Sequence, residues 1–136
     1  RNSRGTTMPH AVVHRLRTAQ PENRRGVIEA VNRAMIEALR VPDDSHPVRL
    51  CEYESDAFLI PSGSSGSFTL IEATIFPGRT PETKRRLYTG LIDRMKGLGV
   101  AARDVRIVLY EVPLENWGLS GGTPASEIDL GFEVTI

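Results

Sequence analysis

Arginine dominates the basic residues of this sequence, and its side chain suits one kind of binding chemistry. The chain has 17 basic residues, and all except Lys84 and Lys96 are arginines. A guanidinium group presents a planar fork of N–H donors that matches a carboxylate or a phosphate. Because 17 acidic residues bring the formal net charge to zero, we do not expect DNA or another nucleic acid as a partner.

The other residue types with catalytic or metal-binding potential form no recognisable pattern. Cys51 is the only cysteine, which excludes an intrachain disulfide and a cysteine-based zinc site. His10, His14 and His46 lack a metal-ligand spacing, so we interpret them as surface or strand residues and predict no metal site. Cys51 itself is interpreted as a small buried apolar residue.

The length and composition are typical of one globular domain. The chain has 136 residues, of which 40% are apolar and 25% are charged, as in ordinary folded domains. No apolar stretch approaches the 18 or so residues that a membrane span needs, and no apolar core of a signal peptide is visible. We therefore expect a cytoplasmic protein without a membrane partner.

The two halves of the chain repeat the same helical pattern. A Pro-Glu pair at Pro21, and again at Pro81, starts a stripe of apolar residues with helical spacing. Proline is tolerated in the first turn of a helix, and the helix dipole favours the following glutamate. Thr80 is a candidate N-cap for the second helix. Pro42 and Gly97 are expected to end the two helices.

Strands are predicted on both sides of each helix. Residues 10–16 and 68–76 precede the helices, and matching Val-Arg segments begin at Val48 and Val105. Each half is therefore a β-α-β unit, whose helix allows a right-handed crossover between parallel strands. Since halves of about 50 residues rarely bury an adequate core alone, we predict one α+β (α/β) domain. Its four-stranded mixed sheet carries both helices on one face.

We assign this single domain to residues 9–136, with pseudo-repeats at 9–60 and 68–122. Residues 123–136 are expected to form a C-terminal strand or tail. Apolar residues alternate over 128–136, which predicts either an extra edge strand or a segment that reaches a neighbouring subunit. An uncovered apolar sheet face would aggregate, so we expect other copies of the chain to cover it.

The ordered motifs resemble those of the 4-oxalocrotonate tautomerase family. The motifs are Met8-Pro9, where family members expose an N-terminal proline, Gly78-Arg79-Thr80 before a helix, Val105-Arg106-Ile107 in a strand, and the turn Asn116-Trp117-Gly118-Leu119-Ser120-Gly121-Gly122. The two-unit length is most similar to the malonate semialdehyde decarboxylase and cis-3-chloroacrylic acid dehalogenase branches. The resemblance implies the tautomerase fold, a homotrimer, and activity without metal or cofactor.

The resemblance also implies roles for individual residues. Pro9 would be the general base or acid, Arg79 would bind the substrate carboxylate, and Trp117 would form an apolar wall. Arg106 and its repeat partner Arg49 match a second substrate arginine. One of these two is expected to fill that role, from the same subunit or from a neighbouring one.

A free N-terminal proline is a secondary amine that could transfer protons. An ordinary α-amino group has a pKa of about 7.7–8.0, and burial beside arginines lowers it. The neutral amine could then accept a proton from the carbon next to a carbonyl. The implied reaction is keto–enol tautomerisation, or a related hydration, dehalogenation or decarboxylation, of a small oxo- or unsaturated carboxylic acid.

Three features depart from the family pattern. Ser45 stands where the decarboxylase branch has a water-activating aspartate, and the adjacent Asp44 is the candidate substitute. Pro77 stands where that branch has a further arginine. Both departures argue against malonate semialdehyde decarboxylase itself. In addition, residues 1–8 precede Pro9, and while they are attached its nitrogen is an amide without a basic lone pair.

This leader leaves more than one interpretation open. It is an expression remnant or a misassigned start, which we favour because Met8-Pro9 stands where the family begins, or it is native. A native leader would make the protein a non-catalytic trimeric binding or scaffold paralogue. Each site residue also has a structural alternative. Pro9 could begin an edge strand, Arg79 could pair with Glu82, Arg49 and Arg106 could face solvent, and Trp117 could belong to the core.

Overall fold

The repeated pattern forms two β-α-β units that share one sheet. The computed structural model describes residues 9–17 and 21–136, so Met8 and the rest of the leader lie outside the described residues. The elements are β1 (His10–Leu16), α1 (Arg24–Leu39) and β2 (Val48–Tyr53) in the first unit, and β3 (Thr69–Ile75), α2 (Pro81–Gly97) and β4 (Val105–Glu111) in the second. The predicted single sheet with two helices is confirmed.

The sheet has the strand order β2-β1-β3-β4, with the two units joined through its centre. β1 is parallel to β2 and β3 is parallel to β4, whereas β1 and β3 are antiparallel. In that central pair His10 lies opposite Thr74, and His14 lies opposite Leu70. The beginning of β1 is therefore beside the end of β3.

Both helices pack on one face of the sheet and bury the apolar core. Alternate residues of β1 and β3, such as Val13 and Ile71, are fully buried there. The helices contribute the other large buried side chains, which include Val31, Met35, Leu39, Leu87, Leu91 and Met95. Each such side chain stabilises the fold by about 1.5–3 kcal/mol.

The helix ends follow local rules that the sequence displays. The Thr80 hydroxyl accepts a hydrogen bond from the Thr83 amide at 3.2 Å, as an N-cap does, and Pro81 occupies the first turn of α2. The 3-10 turn Pro21–Asn23 precedes α1. Arg40 ends α1 in a left-handed conformation, with φ of 55°.

The helix-free face of the sheet carries a chain of hydrogen bonds. His14 Nδ1 lies 2.5 Å from Tyr53 Oη, and His14 Nε2 lies 2.8 Å from Glu72 Oε1. Tyr110 donates to Glu72 Oε2 at 2.8 Å, and this hydrogen bond is the main reason why the pKa of Glu72 is lowered. Both tyrosines therefore have a polar partner on this face of the sheet.

The last part of the chain departs from the prediction. After β4, a short hairpin pairs β5 (Gly118–Leu119) with β6 (Thr123–Pro124). Residues 128–136 form no strand, so the edge-strand alternative is wrong there, whereas contact with a neighbouring subunit stays a prediction. Their apolar side chains pack instead on an aromatic cluster that contains Phe76 and Trp117. The Gly131 amide donates to Asp129, and Gly131 has a φ of 78°, so the backbone bends within this segment.

A buried ion pair joins β1 to β2 on the helix side of the sheet. Arg15 Nη2 lies 2.9 Å from Glu52 Oε2, and Arg24 Nη2 lies 2.7 Å from Glu52 Oε1. The side chains of Arg15 and Glu52 are only 3% and 7% exposed. The hydrogen bond from Arg24, and next that from Arg15, lower the pKa of Glu52 despite the desolvation.

We expect Glu52→Gln to lower the free energy of unfolding by about 3 kcal/mol at pH 7, because it removes the negative charge that the buried guanidinium of Arg15 and that of Arg24 both contact. Since the folded-state pKa of Glu52 lies below its ordinary 4.5, this stabilisation is present above that value and is lost as the pH falls through the folded pKa. Urea unfolding at several pH values measures it. The matched control Glu54→Gln breaks an exposed pair with Arg17 and should cost under about 1 kcal/mol; equal losses would contradict the prediction.

Candidate active site

The antiparallel pairing of β1 with β3 assembles the candidate site at one edge of the sheet. Pro9 immediately precedes β1 and is buried, and Arg79 follows the end of β3. Arg79 Nη2 also donates to the carbonyl of Leu39 at 3.4 Å, so the C-terminal end of α1 reaches the same place. Residues from three elements are thus gathered where the two pseudo-repeats meet.

Arg79 is a buried cation with weak partners. It is 5% exposed, and its guanidinium donates to the carbonyls of Phe76 and Leu39 at 3.4 Å each. Within residues 9–17 and 21–136, its Nε has no hydrogen-bond partner and no carboxylate lies within ion-pair distance. Burial lowers the pKa of Arg79 to about 10, against the opposing charge of Glu111. Arg79 is therefore still positively charged at neutral pH.

Trp117 supplies an apolar surface next to the beginning of β1. It is 8% exposed, and its ring N–H donates to the carbonyl of Val112 at 2.8 Å. The ring makes edge contacts with Phe76 at 5.2 Å and with His10 at 5.5 Å between centroids. Because its one donor is used within the chain, the remaining ring surface can offer only apolar contacts.

His10 is a residue of this edge that the sequence interpretation assigned to no site. Its imidazole contacts Trp117, and it directly follows Pro9 in the chain. Burial, and next the positive charge of Arg49, lower the pKa of His10 below 6.5, so the ring is neutral at pH 7. Its position directly after Pro9 was the available signal for a role at the site. The sequence could not show which face of the sheet His10 would occupy, because that depends on how the strands pair.

The two strand arginines occupy different parts of the helix-free face. Arg49 lies opposite Val12, close enough to His10 to affect its charge. Arg106 lies opposite Leu70, toward the other end of the strands, and its Cζ is 5.6 Å from the ring centroid of Phe68. Within one chain, Arg49 is therefore nearer to the Pro9 edge than Arg106 is.

Asp44 and His46 make hydrogen bonds within the loop that connects α1 to β2, and between this loop and α1. Asp44 Oδ1 accepts from the Ser45 amide at 2.7 Å, and the Asp44 carbonyl accepts from Asn32 of α1 at 3.1 Å. The assignment of His46 to the surface or to a strand is wrong, because this residue is 5% exposed in the loop. Its ring Nε2 lies 2.9 Å from the Pro42 carbonyl, and its amide donates to Asn32. Cys51 is only partly buried.

Comparison with known proteins shows the family to which the chain belongs. The family model described as "Tautomerase enzyme" matches residues 46–120, which is more than half of the chain. The chain belongs to the tautomerase family. A curated protein of Bacillus subtilis (strain 168), named "Probable tautomerase YusQ", is 29% identical to this tautomerase-family chain over 122 residues. The match covers 85% of the chain and 95% of that relative.

Solved structures support the two-unit branch of the tautomerase superfamily. FG41 malonate semialdehyde decarboxylase, inhibited by 3-bromopropiolate, is 28% identical, with a TM-score of 0.73 over 85% of this chain and 92% of that chain. A fused 4-OT described as a wild-type symmetric trimer is also 28% identical, with a TM-score of 0.76 over 86% and 96% of the two chains. The family resemblance predicted from the ordered motifs is confirmed.

The described residues of this tautomerase-family chain include neither a side-chain cluster suited to a metal ion nor a helix able to cross a membrane. No group of three or more histidine, cysteine, aspartate or glutamate side chains is arranged there to hold a metal ion. None of the helices in residues 9–17 and 21–136 combines the length and apolar composition that crossing a membrane requires.

We expect Arg49→Gln to raise the pKa of the His10 imidazole, because it removes a positive charge that disfavours protonation. The value should stay below 6.5, because burial is the larger cause. A ¹H–¹³C NMR titration of the imidazole resonances measures it. Arg106→Gln is the matched control, since Arg106 lies toward the other end of the strands, and it should leave the His10 titration unchanged. A larger shift in the control would contradict the placement of Arg49.

Proposed function

We propose that this protein is a tautomerase-superfamily enzyme in which Pro9, as the first residue of the mature chain, transfers protons on a small oxo- or unsaturated carboxylic acid. The observation that carries the proposal is the state of Arg79. This side chain is a buried cation whose hydrogen bonds to the described residues are two long contacts with carbonyl oxygens. It follows the end of β3, which lies beside the beginning of β1.

A small carboxylate would satisfy Arg79 better than its present partners do. Leaving a charge buried without compensation costs several kcal/mol. A bidentate guanidinium–carboxylate pair supplies two charge-assisted hydrogen bonds and the opposite charge. The orphaned Nε also gives Arg79 a donor that no described residue uses. We infer that the carboxylate of the substrate binds here and fixes its orientation.

The amine of Pro9 would then act on the carbon or carbonyl next to that carboxylate. Burial of Pro9 would disfavour the protonated amine, and so would the positive charge of Arg79, which follows the end of β3 that lies beside the beginning of β1. The neutral form could then accept a proton. Negative charge that develops on the enolate oxygen would be stabilised by the guanidinium. Trp117 and Phe76 would exclude water from the reacting atoms, as apolar walls.

Two finer points belong to the same proposal. The contacts of Asp44 lie within its own loop and with α1, and Pro77 replaces an arginine of the decarboxylase branch, so we favour keto–enol tautomerisation over decarboxylation. We also propose a homotrimer, on the support of the trimeric fused 4-OT neighbour and of the helix-free sheet face. In such an assembly Arg49 is the candidate second arginine from the same chain, and Arg106 the candidate from a neighbouring one.

The chain that begins at Pro9 is expected to ketonise enolic phenylpyruvate. Arg79→Gln should lower kcat/KM by about 10- to 100-fold, which corresponds to the loss of charge-assisted hydrogen bonds to the carboxylate, and Pro9→Ala should also lower it. Arg85→Gln is the control, because Arg85 is exposed and paired with Glu82. The ketonisation rate is followed by ultraviolet absorbance. Unchanged rates in both the Pro9 and Arg79 variants would refute the proposed site.

Intact mass spectrometry of the protein from its natural source tests the amine directly. We expect a mass that begins at Pro9, because only then is the proline nitrogen a basic secondary amine. If the mass retains residues 1–8, proline catalysis is contradicted, and the protein is instead a non-catalytic member that keeps the fold. Light scattering of the same sample should give three copies of the chain.

A further inference from the structure

Residues 128–136 fold back over the edge of the sheet where Arg79 lies; we call them the lid segment. The Phe132 ring stacks on Phe76, with 6.2 Å between centroids and 8° between the ring planes. The Cζ atom of Arg79 lies 6.0 Å from the centroid of the same Phe132 ring. Phe132 therefore covers the guanidinium, whose residue is only 5% exposed.

The far end of the lid segment is tied to the first turn of α2. The carbonyl of Ile136 accepts hydrogen bonds from the hydroxyl groups of Thr80, at 2.9 Å, and of Thr83. Thr83 is fully buried, and its hydroxyl also accepts from Arg86 at 2.9 Å. Thr80, the first residue of this anchor, directly follows Arg79. The residue that Phe132 covers and the residue that holds the end of the lid segment are therefore neighbours in the chain.

Gly78 permits the close approach of the lid segment. A Cβ atom at this position would lie 2.9 Å from the carbonyl oxygen of Val134, nearer than real Cβ atoms come. Gly78 also has a φ of 117°, a conformation that side chains disfavour. Glycine at position 78 thus allows the backbone of the lid segment at Val134 to lie directly against it.

The lid segment is nevertheless held by few interactions. It contains no helix or strand, and its apolar side chains Leu130, Phe132 and Val134 are only partly buried. Within the described residues, its hydrogen bonds to the rest of the chain are one at its start, from the Ile128 amide to the Ala125 carbonyl at 3.2 Å, and those that the Ile136 carbonyl accepts from Thr80 and Thr83. Since each hydrogen bond contributes about 0.5–1.5 kcal/mol net, a few such contacts can open on the time scale of binding.

We propose that the lid segment gates the carboxylate site: it detaches from Thr80 and Thr83 to admit a small carboxylate to Arg79, and it then closes over the bound anion. This inference rests on the proposed function, because it names the device that controls access to the same arginine. An anion cannot reach a guanidinium that is 5% exposed unless its cover moves. Once the lid closes, the exclusion of water strengthens the guanidinium–carboxylate pair.

Chemical modification of Arg79 by phenylglyoxal tests the lid without relying on catalysis. The rate of modification at each arginine is read by peptide mass spectrometry, with Arg25, whose side chain is 82% exposed, as the internal reference. Arg79 should react far more slowly than Arg25 in the unaltered chain. Thr83→Val, which removes one anchoring hydroxyl, should accelerate Arg79 about two- to tenfold. Phe132→Ala should accelerate it further, because it removes the covering ring.

Thr83→Ser is the matched control, since it keeps the hydroxyl and should keep the slow rate. A circular dichroism spectrum like that of the unaltered chain shows that each variant is folded, and an unchanged Arg25 rate shows that the reagent is equally active in each sample. If Arg79 reacts as fast as Arg25 in the unaltered chain, or at one rate in the unaltered, Thr83→Val and Phe132→Ala proteins, the lid is refuted.

Pyruvate separates this inference from the proposed function. In the Phe132→Ala protein, where the cover is removed, pyruvate should slow the modification of Arg79 and leave Arg25 unaffected. Absence of protection there would overturn Arg79 as a carboxylate site, whatever the lid does. Protection together with equal Arg79 rates in all variants would overturn the lid and leave the carboxylate site supported.

Discussion

The antiparallel pairing of β1 with β3 is the constraint on which the candidate site depends. Within one β-α-β unit, the two strands pair only with each other, in parallel. A single unit therefore could not bring the start of the other unit's helix close to its own first residue. Pairing the units through β1 and β3, with His10 opposite Thr74, puts the beginning of one repeat beside the end of a strand in the other. Pro9 and Arg79, far apart in sequence, come to one edge because of this register.

The same pairing explains how far the sequence could predict the structure. Periodicity and capping are local, so the strands at 10–16 and 105–111 and the N-cap at Thr80 were predictable. The alternation of apolar residues in 128–136 was also correctly seen, but alternation does not name a packing partner. Apolar side chains of this segment pack on the aromatic cluster around Phe76 and Trp117. The cluster forms only when the sheet and the hairpin bring distant residues together, so the sequence could not show it as a packing partner. The hydrogen bonds of His14 with Tyr53 and Glu72 likewise join three strands and leave no local signal.

The many arginines of the chain are less informative than their number suggests. Most of those described are exposed, and several are paired, such as Arg33 with Asp43 and Arg94 with Glu37. Such pairs contribute little to stability. Among the described arginines only Arg15 and Arg79 are buried, and burial is a property of the tertiary structure. Composition therefore predicted a class of ligand, but it could not show which arginines are buried.

The contrast between these two buried arginines supports a site at one edge of the sheet and not at the other. Arg15 lies near the end of β1, where the carboxylate of Glu52 compensates its charge at 2.9 Å. At that end the rings of Tyr53, Phe58 and Phe68 also pack on one another, at 5.1 and 6.1 Å. Arg79 lies at the opposite end, where the hydrogen-bond acceptors that described residues offer its guanidinium are two carbonyl oxygens, each at 3.4 Å. Two halves that repeat in sequence thus differ in how they treat a buried positive charge. One end satisfies it with a carboxylate of the same chain, which serves stability, and the other gives it two long hydrogen bonds to carbonyl oxygens, which is the observation on which the proposed carboxylate site rests.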